Sequence, residues 1–253
     1  MINVALVESL GADCQFKFIQ QDSGGRVTRL GGLQVRTACA AALALLALGC
    51  TQKPKVPPGV TPTVVVGAPL KADIWKQVAT DADEARIARL YAAWNDALTE
   101  ARRRFGNEIK REGDLLRPQA ALPRPAPTPG SYNCRLIKLG SAAPKTRSYE
   151  SFKPFFCYVE VEDDLLTIVK QTGSQRPAGR LWEDDNNNRL IFLGSLALGE
   201  EDQPLAYGDD PKRDMAGVLE RIGPFKWRLV IPWPQSTSKL DVFELTPVAN
   251  QPK

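Results

Sequence analysis

Apolar residues recur at helical spacing over residues 72–105, and the pattern ends there. "DIWKQVAT" predicts a short helix, and a longer helix is expected to begin after Thr80 or Asp81, both favourable N-cap residues. Gly106 predicts the end of this second helix, and a further short helix is predicted over residues 107–112. We expect the apolar stripe to pack against a sheet. Its members are Ile87, Leu90, Tyr91, Trp94, Leu98, Ala101 and Phe105.

From Ser131 onward, short alternating segments separated by turn-forming residues predict β-strands. Candidate strands lie near residues 131–139, 154–162, 165–172, 179–183, 189–196, 215–222, 226–232 and 240–245. Short links and few intervening helices indicate an antiparallel meander, and about eight strands can close into a small barrel without exposed edges. The predicted class is α+β and mainly β, with N-terminal helices that plug or flank a closed or partly open β-barrel. A β-sandwich is the alternative.

A third hydrophobic pattern, the continuous apolar run over residues 38–48, ends just before Cys50. The run is shorter than the roughly 20 residues of a membrane span, but it fits the apolar region of a secretory signal. Basic residues precede it, as in a signal: Arg26, Arg29 and Arg36. "LALGC" resembles the lipobox of bacterial lipoproteins, so we predict a lipid on Cys50. The resemblance implies the outer membrane, since the next residue is Thr51 and not Asp. An ordinary apolar helix is the alternative.

These patterns divide the chain into four parts. Residues 1–49 are expected to be a signal region, residues 50–70 the lipidated cysteine and a proline-rich linker, residues 71–247 a single helix-plus-barrel domain, and residues 248–253 a tail. Acidic residues near the start do not suit a signal: Glu8, Asp13 and Asp22. We therefore interpret residues 1–25 as the product of a start codon placed too early.

Cysteine and histidine counts narrow the chemistry. The chain has five cysteines and no histidine. Beyond the signal and the anchor only Cys134 and Cys157 remain, and such a pair in an exported protein predicts a disulfide. The lack of histidine excludes Ser-His-Asp and Cys-His catalysis, histidine zinc sites and histidine-ligated haem. A formal net charge of +4 is too balanced to indicate a nucleic-acid partner. We predict neither a metal nor a cofactor.

The loop "TGSQRPAG" is a candidate anion site, because glycine-rich backbone donors can act together with Arg176 at its tip. Lys170 or Arg180 would complete a positive rim at an open barrel end. The alternatives are an ordinary tight turn, or an Arg176 buried against a barrel carboxylate such as Glu220.

Glu220 and Arg228 form a second candidate pair, on the hairpin "GVLERIGPFKWRLVIPWP". If Glu220 points inward, it needs a cationic partner such as Arg228 or Arg135. The pair would then be either structural or a handle for a ligand, and both readings stay open.

Residues 75–247 resemble a bacterial family of exported proteins known only as a domain of unknown function. The resemblance is carried by "SYNCRLIKLG", "KQTGSQRPAG", "FLG", "YGDD", "RDMAGVLERIG", "KWRLVIPWP" and "LDVFEL". It implies one domain and a shared Cys134/Cys157 pair, and it implies no activity.

We expect an envelope-anchored lipoprotein with a binding or structural role, facing the periplasm. Its partners would be the membrane, through the lipid, and a small molecule, a glycan or another envelope protein. The alternative is an envelope hydrolase that uses carboxylates of the loop over residues 200–214. These are Glu200, Glu201, Asp202, Asp209, Asp210 and Asp214. A closed barrel filled by side chains favours binding, and a cleft with two facing carboxylates favours hydrolysis.

Overall fold

The computed structural model describes residues 19–21, 27–29, 70–199, 201, 203–235 and 237–249. The chain divides into two compact units between Thr63 and Val64. In the first unit, strands β1 (Ile19–Gln21) and β2 (Val27–Arg29) pair in antiparallel fashion. The predicted apolar signal run, Cys50 and the linker lie outside the described residues.

Three α-helices open the described part of the second unit: α1 (Lys71–Lys76), α2 (Asp81–Ala88) and α3 (Leu90–Glu112). Thr80 caps α2 as predicted, because its side chain accepts a hydrogen bond from the backbone N–H of Asp83. Two 3-10 turns follow α3, at Gly113–Leu116 and Pro118–Ala120. None of the described helices has the length and apolar character needed to cross a bilayer.

The predicted helix end at Gly106 is wrong, because α3 continues to Glu112. The chain only kinks there, at Phe105, whose dihedral angles are not helical (φ −124°, ψ 31°). Tertiary contacts hold the last turns: Ile109 is buried, and Glu112 accepts hydrogen bonds from Arg135. These contacts outweigh the low helix propensity of glycine, about 1 kcal/mol relative to alanine.

The other nine described strands form one antiparallel sheet: β3 (Gly130–Ser141), β4 (Tyr149–Ser151), β5 (Phe155–Glu162), β6 (Leu165–Lys170), β7 (Gln175–Glu183), β8 (Leu190–Leu198), β9 (Asp214–Gly223), β10 (Lys226–Pro232) and β11 (Ser238–Pro247). Strand β11 pairs back to β3, so eight strands close into a barrel. The short β4, which the sequence pattern did not predict, adds to β3 beside the end of β5. The mainly β class and the closed barrel are confirmed, and the chain is not a sandwich.

Alternate residues of the strands belong to two different cores. On β10, Trp227 and Leu229 pack inside the barrel, whereas Val230 packs outside it beneath the helices. The outer core joins the buried face of α3, around Trp94 and Ala97, to the outer wall of the barrel. The helices therefore flank the barrel and do not plug it.

Side chains fill the barrel interior, and two glycines make room for them. Gly179 on β7 lies directly opposite Gly194 on β8. A Cβ atom on either residue would clash with backbone of the other strand and with the ring of Phe192. The bare backbone at this pair lets the Phe192 ring, which is 0% exposed, occupy the interior.

Cys134 on β3 and Cys157 on β5 form the predicted disulfide, with their Cα atoms 5.9 Å apart. Both residues belong to the interior core. The bond therefore links two neighbouring strands from inside the barrel.

Candidate functional site

A cavity of about 100 Å³, here called the mouth cavity, lies at the barrel end where β8 and β10 finish and β7 and β9 begin. Its apolar wall comes from Leu136, Pro177, Leu196, Met215, Ile231 and Phe243. Its charged residues are Arg86, Lys138, Lys170, Lys212, Arg213, Asp214 and Asp241. Side chains from seven barrel strands, from helix α2 and from the loop before β9 therefore meet at one opening.

Below the mouth cavity the barrel is almost solid. A void of only about 10 Å³ lies against Cys157, Phe192 and Leu229, and it shares Lys170, Pro177 and Phe243 with the mouth. This is about the space that one water molecule needs. Any occupant must therefore stay in the mouth.

Lys138 and Asp241 form an ion pair within the wall of the mouth cavity. They are cross-strand neighbours on β3 and β11, with Nζ 3.1 Å from Oδ2. The hydroxyl of Ser238 also donates to Asp241, which is only 4% exposed. Burial raises the pKa of Asp241, while Lys138 and Ser238 act against this rise. The charge of Lys138 is thus balanced locally.

Lys170 points into the mouth from the end of β6. Its Nζ donates to the carbonyl oxygen of Gln175 at 2.8 Å and lies 4.4 Å from the centroid of the Phe155 ring. Burial lowers the pKa of Lys170, and the nearby charge of Arg176 lowers it further. Among the described residues, no carboxylate lies within ion-pairing distance of this ammonium group.

Arg86 reaches the mouth from helix α2. Its Nη2 lies 2.9 Å from Oδ1 of Asp83, whereas its buried Nη1 has no hydrogen-bond partner in the described part of the chain. Asp83 is itself held, because the hydroxyl of Tyr207 donates to its Oδ2 at 2.5 Å. Burial raises the pKa of Tyr207 to about 12, and the bond to Asp83 adds to this rise. The guanidinium is thus fixed with one donor edge unused.

The loop before β9 borders the mouth, and ion pairs within the loop hold it in place. Arg213 binds Glu201 at 2.7 Å and Asp210 at 3.3 Å. Asp214 accepts the backbone N–H of Gly208, and burial raises the pKa of its carboxyl group. Of the remaining predicted hydrolase carboxylates, Asp209 accepts the backbone N–H of Ala206. Glu200 and Asp202 lie outside the described residues.

Of the three predicted rim residues, only Lys170 lines the mouth cavity. Arg176 donates to the carbonyl oxygens of Gly173, Gly199 and Glu201, and so ties the loop after β8 to the β6–β7 turn. Arg180 lies 3.3 Å from Glu162 and 3.5 Å from Asp163. Neither arginine is buried against Glu220.

Glu220 and Arg228 pair with each other away from the mouth. They are cross-strand neighbours on β9 and β10, and Nη2 of Arg228 lies 2.6 Å from Oε2 of Glu220. Arg228 also contacts the ring of Trp94, whose centroid is 4.8 Å from the guanidinium carbon. Since Trp94 belongs to the outer core, this pair lies between barrel and helices and not in the mouth.

A larger open groove of about 710 Å³ runs between α1, α2 and the β7–β8 loop. One of its carboxylates, Asp184, accepts hydrogen bonds from Nε1 of Trp75 at 3.1 Å and from Arg189 at 2.6 Å. The groove is wide and open, so we prefer the smaller mouth cavity, where Lys170 and the unbonded Nη1 of Arg86 supply cationic donors. No group of three or more His, Cys, Asp or Glu residues in the described part of the chain could hold a metal ion.

Several mouth residues were missed by the sequence reasoning. Lys138 and Asp241 could have been found from strand alternation. Lys138 lies on the same face of β3 as the inward-facing Cys134, and Asp241 lies on the same face of β11 as the inward-facing Phe243. No local signal marks Arg86. Its role depends on how α2 docks onto the barrel end.

The chain matches one family model over residues 75–245, which is more than half of its length. No curated protein and no solved structure matches it. The chain therefore belongs to the family described as domain of unknown function 4893.

Proposed function

We propose that the protein is a lipoprotein of the bacterial cell envelope that binds a small molecule in the mouth cavity. The observation that carries this proposal is the convergence of charged and apolar side chains at the open end of a filled barrel. Ligand sites commonly combine an apolar wall with a few placed polar groups. A volume of about 100 Å³ suits a small molecule better than a glycan or a protein segment.

Export and anchoring are supported by three features. The apolar run before Cys50 fits a lipoprotein signal, and the following proline-rich segment suits a spacer. The Cys134–Cys157 disulfide belongs to a class of bonds that persists in oxidising compartments such as the periplasm. Together they favour an outer-membrane lipoprotein whose barrel faces the periplasm.

The hydrolase alternative gains less support from the same cavity. Asp214 and Asp241 both line the mouth, but each is only 4% exposed. Asp241 is bound by Lys138 and Ser238, and Asp214 accepts a backbone N–H. A catalytic carboxylate has to reach its substrate, and these two groups form part of the wall.

Blocking the mouth tests the binding proposal. The full-length protein, purified in detergent, is screened by thermal shift against amino acids, monosaccharides, short carboxylates and phosphate. A true ligand at about 100 times its Kd should stabilise by about 2.7 kcal/mol, which corresponds to a rise in Tm of roughly 5–10 °C. Leu196→Trp, at the partly buried rim, should abolish this rise.

The matched control is Phe225→Trp, at an exposed position in the β9–β10 turn at the other end of the barrel. It should keep the ligand-induced shift. Binding in the mouth is refuted if no compound class raises the Tm, or if the rise survives in a folded Leu196→Trp variant.

Anchoring is tested at Cys50. Cys50→Ser should abolish labelling by a radioactive fatty acid, and it should either release the protein from membranes or leave it uncut. Cys39→Ser is the matched control, since Cys39 lies within the apolar run before the predicted cut and should not affect lipid labelling. A Cys50→Ser protein that stays membrane-bound and is cut at the same place contradicts the lipoprotein assignment.

A further inference from the structure

We propose that the ligand of the mouth cavity is a small carboxylate with a short apolar chain, held by Arg86 and Lys170. This inference rests on the proposed binding function and names the chemistry of its ligand. It is carried by the ammonium group of Lys170, which has no carboxylate partner among the described residues, by the unbonded Nη1 of Arg86 and by the apolar wall.

Basic side chains outnumber acidic ones in the lining of the cavity. Among the described residues, five basic and two acidic side chains line it. Lys138 is balanced by Asp241, and Arg213 by Glu201 and Asp210. Lys212 is exposed to solvent. Arg86 is balanced by Asp83, but through Nη2 alone, and Lys170 has no carboxylate partner among the described residues. Both are partly buried, so an anion beside them would be screened less by water than at an open surface.

Arg86 offers the most specific contact. Its Nη2 pairs with Asp83, while its Nη1 is buried without an acceptor. A buried donor that lacks an acceptor is costly, and more so when it is charged. A ligand oxygen at Nη1 would remove this cost. Tyr207 fixes Asp83, and Asp83 in turn holds Arg86, so the guanidinium itself is already positioned.

Lys170 offers the second contact. Its ammonium group donates to one backbone carbonyl and lies over the ring of Phe155, which leaves donor capacity for another acceptor. A carboxylate beside it would also offset the repulsion from Arg176 that, together with burial, lowers the pKa of this lysine. Arg86 and Lys170 line the same cavity, and a carboxylate has two oxygens, so one ligand offers an acceptor to each cation.

The apolar wall of the cavity favours a carboxylate with an alkyl chain over inorganic phosphate. Leu136, Pro177, Met215 and Phe243 face the cavity, and an ion without carbon atoms would leave this surface uncovered. A short alkyl chain would cover it and gain about 25 cal/mol for each Å² removed from water. The cavity of about 100 Å³ is about ten times the size of the void below it, which suits one water molecule, and this size limits the chain to a few carbons.

The test compares sodium butyrate with sodium phosphate and with the neutral butyramide, at equal ionic strength. The full-length protein in detergent is titrated with each by calorimetry and by thermal shift. Butyrate should bind, whereas butyramide and phosphate should bind at least about tenfold more weakly, because butyramide lacks the charge and phosphate lacks the apolar chain. Leu196→Trp should abolish the binding of butyrate.

Two variants assign the contacts. Arg86→Gln and Lys170→Met should each weaken butyrate binding by about tenfold or more, since each removes a charge-assisted hydrogen bond. Lys170→Met leaves the Asp83–Tyr207 contacts intact, so it remains informative if Arg86→Gln folds poorly. Arg111→Gln, at a side chain that is 74% exposed on α3, is the matched control and should bind butyrate as the wild type does.

The outcomes separate this inference from the function on which it rests. Equal binding of phosphate and butyrate, or unchanged binding in both Arg86→Gln and Lys170→Met, overturns the carboxylate assignment. A neutral ligand that Leu196→Trp blocks, with no anion binding, overturns the inference and keeps the binding function. If no compound of any class binds, both are overturned.

Discussion

Replacing Arg228 by Met is expected to lower the free energy of unfolding by about 3–5 kcal/mol, the cost of breaking a buried ion pair from one side. The side chain of Arg228 is 0% exposed and that of Glu220 is 9% exposed. Met fills much of the same volume, so the loss comes from the charge and not from a large cavity. Chemical denaturation at neutral pH measures the change.

The donors of Arg228 explain the size of this effect. Its Nε donates to Glu220 at 2.7 Å, and its Nη atoms donate to the carbonyl oxygens of Asp114, Leu115, Arg117 and Pro118 at 2.8–3.1 Å. These carbonyls belong to the two 3-10 turns that follow α3 and to Arg117 between them. One guanidinium therefore fastens the helical layer to the barrel wall. Burial lowers the pKa of Arg228, and the charge of Glu220 opposes this.

Three further variants make the prediction specific. Arg228→Lys keeps the charge but cannot reach all these acceptors, so it should lose a large part of the stability. Removing both partners, as Arg228→Met with Glu220→Met, should recover part of the loss, because no lone charge stays buried. Arg180→Met removes an exposed ion pair and should change stability by about 1 kcal/mol or less. If Arg228→Met lowers the free energy of unfolding by less than about 1 kcal/mol, the structural role of the ion pair is contradicted.

The Glu220–Arg228 pair also shows what the sequence could and could not predict. Alternation along the hairpin indicated that the two residues could meet across the strands, and the register places them opposite each other. Alternation did not tell which face is the barrel interior, because β9 and β10 are buried on both faces. Both faces therefore look apolar, and only the docking of α3 distinguishes the outer wall.

The same argument applies to the "TGSQRPAG" loop. Lys170, at the end of a predicted strand, does reach the mouth. On β7, Arg176 and Arg180 lie on the same face as Trp182, which packs against the outer core. Leu181 lies on the opposite face, toward the barrel interior. Their side chains thus belong to the outside of β7. The loop was found from its composition, but the direction of its side chains follows from the strand that contains them.

Strand positions were predicted better than helix ends, for a physical reason. Each barrel strand is bounded by turn residues, so the predicted strand over residues 226–232 coincides with β10. Helix α3 passes Gly106 because Ile109 and Glu112 find tertiary partners. Strand β4 has only three residues and pairs with one strand edge. Contacts that are distant in sequence decide such elements, and local patterns do not record them.

Removing the disulfide, as Cys134→Ala with Cys157→Ala, is expected to lower the free energy of unfolding by about 3 kcal/mol. The bond closes a loop with a sequence separation of 23 residues, and in the chain-entropy model a loop of this size accounts for about that much. In this model the cross-link restricts the unfolded chain. Without it the unfolded chain exposes more surface, so the m-value of the double variant should be higher than that of the wild type. Denaturant titration of both proteins measures the two quantities.

A substitution that removes packing from the same core supplies the control for this prediction. Val159 on β5 is 0% exposed and belongs to the interior cluster that contains both cysteines. Val159→Ala should lower stability by loss of packing but leave m unchanged, since the unfolded chain keeps its cross-link. Adding a reductant during the titration should bring wild-type protein to the behaviour of the double variant. If the double variant loses stability without a change in m, the bond acts through packing of the barrel interior and not through the unfolded chain.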